Sequence, residues 1–168
     1  MRPLVLKNLL PIELPLHNGR YLVIAGLHKI PPHVALIDSG KYFAFTVKGS
    51  EPHTDANRLI NRLIKKGTSV LLVKIKSTQN PIDPAPFFEN LGNLNEGNSC
   101  LDPILELLKK EMNILPEQPF LHGLLEELQK RNLINSIFIH EVSLSGDFEL
   151  QPYDRAAINH RIRELRKD

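Results

Sequence analysis

The sequence predicts an α+β domain, with a mixed and largely antiparallel sheet of about five to six strands packed against about four helices. Three observations carry this. Residues 31–47 (PPHVALIDSGKYFAFTV) place two runs rich in β-branched and aromatic residues around the polar turn Asp38-Ser39-Gly40, a strong hairpin signal. Two further apolar runs, Arg20–Leu27 and Thr68–Lys76, have strand length. Amphipathic segments with three-four spacing occupy most of the C-terminal half, so strands and helices segregate and do not alternate regularly.

Along the chain, residues 1–19 are punctuated by prolines and read as irregular or as an edge strand. Arg20–Leu27 (RYLVIAGL) reads as a buried strand ending at Gly26. The connection His28-Lys29-Ile30-Pro31-Pro32 is stiff, since each proline fixes its own φ and restricts its predecessor. In the hairpin that follows, a two-residue Ser39-Gly40 turn sets Asp38 opposite Lys41, Leu36 opposite Phe43, Val34 opposite Phe45 and His33 opposite Thr46. Alternation then gives one bulky face (Val34, Leu36, Phe43, Phe45) and one smaller face (His33, Ala35, Ile37, Tyr42, Ala44, Thr46) that a helix can approach closely.

Thr54 or Asp55 caps a helix with Ala56, Leu59, Ile60, Leu63 and Ile64 on one side, stopped at Gly67. Residues 77–98 form a long Pro-, Asn- and Gly-rich connection, a length that usually signals function or mobility. Its Phe87-Phe88 pair either pins the loop to the core or walls a substrate site as a lid. Ser99-Cys100-Leu101-Asp102 opens a helix with Ile104, Leu105, Leu108 and Met112 inward. Residues 119–132 form a second helix, 136–151 a second hairpin turning at Ser145-Gly146, and Asp154 caps a last helix with Ile158, Ile162 and Leu165 inward.

The chain has 168 residues, 42% hydrophobic and 24% charged, and reads as a single domain over residues 1–168. Its formal net charge of +2 exerts no strong pull on nucleic acid. The basic last helix has no aromatic interleaving, and no glycine-rich phosphate loop accompanies it, so neither nucleic acid nor a nucleotide cofactor is expected. No apolar run is long enough to span a bilayer. Lys7 and the early prolines break the apolar block of a signal peptide, and the lone Cys100 suits a reducing compartment, so a cytoplasmic location is expected. His28, His33 and His53-x-Asp55 lack ligand spacing for a metal, and none is expected.

Chemistry centres on Cys100. Ser99-x-x-Asp102 fits a variant capping box, which sets the thiol in the first helical turn, where free amides and the helix dipole favour an anion. The alternative is a small buried hydrophobe. His33, delivered at a strand start by the rigid Pro31-Pro32 lead-in, is the candidate general base for such a thiol. Thr46, opposite it, is the candidate third residue. His122 and Glu126, like His160 and Glu164, are four apart and read as pairs on helix surfaces.

His33-Val34-Ala35-Leu36-Ile37, a glycine turn and Lys41-Tyr42-Phe43 resemble the histidine hairpin of papain-like bacterial cell-wall hydrolases of the NlpC type. The order, with His33 before Cys100, is similar to the circularly permuted branch that includes lecithin:retinol acyltransferase-like proteins, and Asn98-Ser99-Cys100 resembles the cysteine segment there. The resemblance covers roughly residues 20–112 and implies a permuted papain-like topology and attack of a Cys100 thiolate on an acyl carbonyl, with His33 carrying the proton. It also implies a third polar residue near Ala44–Thr46, where no His, Asn or Gln stands. The substrate would be an acyl or peptide-like amide, ester or thioester. The rival expectation is a non-catalytic α+β protein that binds a partner through residues 77–98 or the last helix.

Overall fold

The computed structural model describes residues 2–50, 54–140 and 147–167. Its elements in chain order are β1 (Leu4–Leu6), β2 (Leu9–Pro11), β3 (Arg20–Ala25), β4 (His33–Asp38), β5 (Lys41–Phe43), β6 (Phe45–Thr46), β7 (Gly49–Ser50), β8 (Thr54–Asp55), α1 (Ala56–Lys65), β9 (Val70–Ile75), α2 (Ala85–Phe88), α3 (Asp102–Met112), α4 (Leu121–Lys130), β10 (Ile134–His140), β11 (Phe148–Leu150) and α5 (Arg155–Leu165). Among the described residues, seven strands form one sheet in the order β2-β10-β9-β3-β4-β5-β8, antiparallel throughout except for the parallel pair β10–β2. The class is α+β. The sheet is wider than the expected five to six strands because β2 and β8, of three and two residues, add to its edges.

Strand β3 is buried along its whole length and lies at the centre, between β4 and β9. The hairpin forms with the expected register: Asp38 faces Lys41 and Leu36 faces Phe43. Ser39 and Gly40 both take positive φ, 49° and 79°, as a type I′ turn requires. Beyond Leu36 and Phe43 the ladder stops, because Phe45 and Thr46 turn away to pair with Gly49 and Ser50. Val34 is therefore not opposite Phe45.

The two faces of the hairpin lie in separate apolar layers. Ala35, Ile37, Tyr42 and Ala44 pack with Tyr21, Val23 and the α1 residues Ala56 and Ile60. Val34, Leu36, Phe43 and Phe45 pack with Ile104, Leu107 and Leu108 of α3, Leu121, Leu124 and Leu125 of α4, and Ile158 and Ile162 of α5. The helix on the small-residue face is thus α1, whose N-cap Asp55 accepts from the Arg58 amide at 2.7 Å.

Among the described residues, the two strands of the expected second hairpin do not pair with each other. β10 pairs with β9 and β2, while β11 leaves the sheet to pair antiparallel with β1, Leu4 facing Leu150. The Ser145-Gly146 turn lies outside the described residues.

The 77–98 connection is anchored along its length. Phe88 is buried against Phe43, ring centroids 5.5 Å apart, and the Ile82 amide donates to Glu111 Oε1 at 2.7 Å. Arg20 clamps the same point from the sheet, donating to the Ile82 carbonyl at 2.8 Å, to Glu111 Oε2, and to Asp38 Oδ1 at 3.3 Å. Further on, the Leu94 amide donates to the Thr46 carbonyl at 3.2 Å and Arg166 donates to the Leu94 carbonyl at 2.9 Å. Among the described residues, no helix is long and apolar enough to cross a membrane.

Candidate functional site

At one end of the sheet β3 finishes at Ala25 and β4 begins at His33, and there the two apolar layers part around a cavity of about 550 Å³. That volume is typical of small-molecule sites. Leu59, Leu63 and Tyr42 wall it on one side and Phe120, Tyr153, Ile158 and Ile162 on the other, while His33, Thr46, Ser99 and Cys100 all open onto it. The lead-in from Lys29 to Pro32, with a cis peptide at Ile30–Pro31, forms part of the rim. The structure therefore brings Cys100, His33 and Thr46 to one cavity although 67 positions separate the first two.

Cys100 stands in the turn leading into α3, two positions before the first helical residue. The Ser99 hydroxyl and amide donate to Asp102 Oδ1 and Oδ2 at 2.7 and 2.8 Å, which fixes that turn. The expected cap is thus displaced: Leu101 is the N-cap, without a side-chain bond, and the thiol is outside the first helical turn. What holds Cys100 is the sheet. Where the β4–β5 ladder has stopped, the Val34 amide donates to Cys100 Sγ at 3.4 Å. The thiol occupies the open edge of β4, held by Val34, the residue that follows His33.

Electrostatics run against a resting ion pair. Burial pushes the Cys100 thiol up to about 11; the Val34 amide pulls it down and Asp102 pushes it further up. Burial also brings His33 down to about 4. The resting site therefore holds a neutral thiol and a neutral imidazole. His33 begins its strand with Ala35 and Ile37 on the α1 face, whereas Cys100 packs on the α3 side, so the two line one cavity from opposite faces of the sheet and the thiol is not on the small-residue face with the imidazole. Among the described residues no hydrogen bond joins them.

Thr46 does not orient the imidazole here. Its hydroxyl donates to the Gly49 carbonyl at 3.0 Å and accepts from the Lys48 amide at 3.2 Å, both within its own hairpin. A residue that sequence reasoning missed is Tyr153. Its oxygen accepts the Leu121 amide at 3.3 Å at the start of α4, leaving the hydroxyl proton free to donate. Burial holds the phenol above its ordinary range and keeps it protonated, and Tyr153 lines the same cavity as Cys100. No motif surrounds Tyr153 in the sequence; its place comes from the packing of α4 against the segment before α5.

The remaining histidines fall elsewhere. His160 is 3.5 Å from Glu164 on an exposed helix face, as expected. His122 is not on a surface: it is buried, with Nε2 2.8 Å from the Arg2 carbonyl and Nδ1 3.5 Å from Glu126. His53 lies outside the described residues. Among those described, no three His, Cys, Asp or Glu side chains converge to hold a metal ion.

Comparison with protein-family models, with curated proteins and with solved structures gave no match.

Proposed function

We propose that the cavity is the site of a thiol-dependent hydrolase or acyltransferase, with Cys100 as nucleophile and His33 as base, in a permuted papain-like arrangement. The observation that supports this best is the Val34 amide bond to Cys100 Sγ, which ties the thiol to the strand start that carries His33, on the wall of a cavity large enough for substrate.

With both groups neutral at rest, attack and proton transfer are coupled. Sγ bonds to the acyl carbon of an amide, ester or thioester while its proton passes to His33. The tetrahedral oxyanion is met by the Cys100 backbone amide and the Tyr153 hydroxyl. Collapse breaks the bond to the leaving atom, which takes the proton back from His33. Water or an acceptor then attacks the thioester, its proton moves to His33, and Sγ recovers that proton as it departs.

A second reading is favoured by one specific observation: the thiol and imidazole share no hydrogen bond, and no carboxylate or carboxamide orients the histidine among the described residues. In that reading the cavity binds a ligand without transforming it. Hydrolysis of a p-nitrophenyl acyl ester separates the two. The catalytic reading expects Cys100→Ala to abolish turnover and His33→Ala to lower kcat about 10²–10⁴-fold. Turnover at the solvent rate, or unaffected by either change, refutes it.

A further inference from the structure

The charge around the cavity is one-sided. Exposed Lys29 and Lys48 and half-buried Arg161 line it, and no Asp or Glu does so among the described residues. Lys29 and Lys48 have no carboxylate partner among those residues, and Arg161 gives one guanidinium nitrogen to Glu164, which stands outside the lining. Most of the other lining residues are aliphatic or aromatic. Beside Lys29, Ile30 is 56% exposed, an apolar side chain left in water next to the opening.

From this pattern we propose that the cavity takes a single-chain amphiphile with an anionic head, its chain against Leu59, Leu63 and Phe120 and its anion at Lys29, Lys48 and Arg161. Apolar walls remove the chain from water, and Lys29 and Lys48, with the guanidinium of Arg161 that Glu164 engages through one nitrogen, both draw an anion in and disfavour a cationic ligand. A neutral chain of equal length gains only the first of these. The inference names the substrate class of the proposed acyl site, and rests on that reading for the fate of the ligand, though not for its binding. A free long-chain carboxylate and an acyl thioester on a phosphate-bearing carrier share this chemistry.

The test uses the full chain and cis-parinaric acid, a fluorescent long-chain carboxylate, displaced in turn by palmitate, palmitoyl-CoA and hexadecanol. Palmitate or palmitoyl-CoA is expected to displace the probe at least about tenfold better than the alcohol, and the better of the two identifies the natural head. Lys29→Glu/Lys48→Glu is expected to weaken the anion about tenfold or more and to leave the alcohol unchanged. Equal displacement by the alcohol, or a charge reversal without effect, overturns the inference, as does failure of the probe to bind. Cys100→Ala keeps the chemistry separate: binding that survives in it beside absent turnover in the native chain refutes the acyl-transfer reading alone. Ester turnover without binding of any long chain refutes this inference alone.

Discussion

His33 and Cys100 give the protein a pH dependence whose sign follows from their shifts. His33 titrates near 4 in the fold and near 6.5 when unfolded, so between these values the unfolded chain binds more protons and stability falls as pH falls. The loss is at most about 3 kcal/mol and smaller to the extent that the ring opens onto the cavity. Cys100 holds its proton up to about 11 in the fold against 9.0 ordinarily, so stability falls again as pH rises through that window. Urea unfolding across pH is expected to show both flanks, with the acid flank flattened in His33→Gln and the alkaline flank in Cys100→Ala. A flank unchanged in its variant means that the group is not held neutral by the fold. Tyr153 belongs to this scale too: a phenol between Pro152 and Asp154 carries no spacing signal, and only the arrival of the Leu121 amide gives it a role.

At the scale of elements, what was legible was what neighbours in sequence decide. The positive φ values of Ser39 and Gly40 set the hairpin register, and Asp55 and Asp154 cap α1 and α5 through the amides of Arg58 and Ala157. Pairings between distant segments were not legible. β11 has the alternation of a hairpin partner for β10, yet it pairs with β1 near the other end of the chain, and alternation does not name a partner. Nor did the sequence disclose the end of the β4–β5 ladder after Leu36 and Phe43, which is what frees the Val34 amide for the thiol. The anchoring of residues 77–98 by Arg20 and Glu111 was equally hidden, since the three segments are joined only by folding. Because Arg20 and Glu111 are both buried at their contact, Glu111→Leu is expected to cost about 3 kcal/mol by leaving a guanidinium short of its partner. Adding Arg20→Met recovers part of that loss. Denaturation midpoints of the single and double variants check this, and additive losses contradict it.

For the whole molecule, the cavity sits where both apolar layers run out. The sheet separates α1 from α3, α4 and α5 over most of its area, and at the ends of β3 and β4 that separation stops. A thiol from one side and a histidine from a strand start reach the same space only there. The sequence pointed to both residues by type and local setting; the wall they share with Tyr153 comes from three distant segments. The most direct test is intact-protein and peptide mass spectrometry of the chain quenched during reaction with an activated acyl ester. The account predicts one acyl group on Cys100, formed much more slowly in His33→Ala and absent in Cys100→Ala. Acylation elsewhere, or on Cys100 at the same rate without His33, contradicts it.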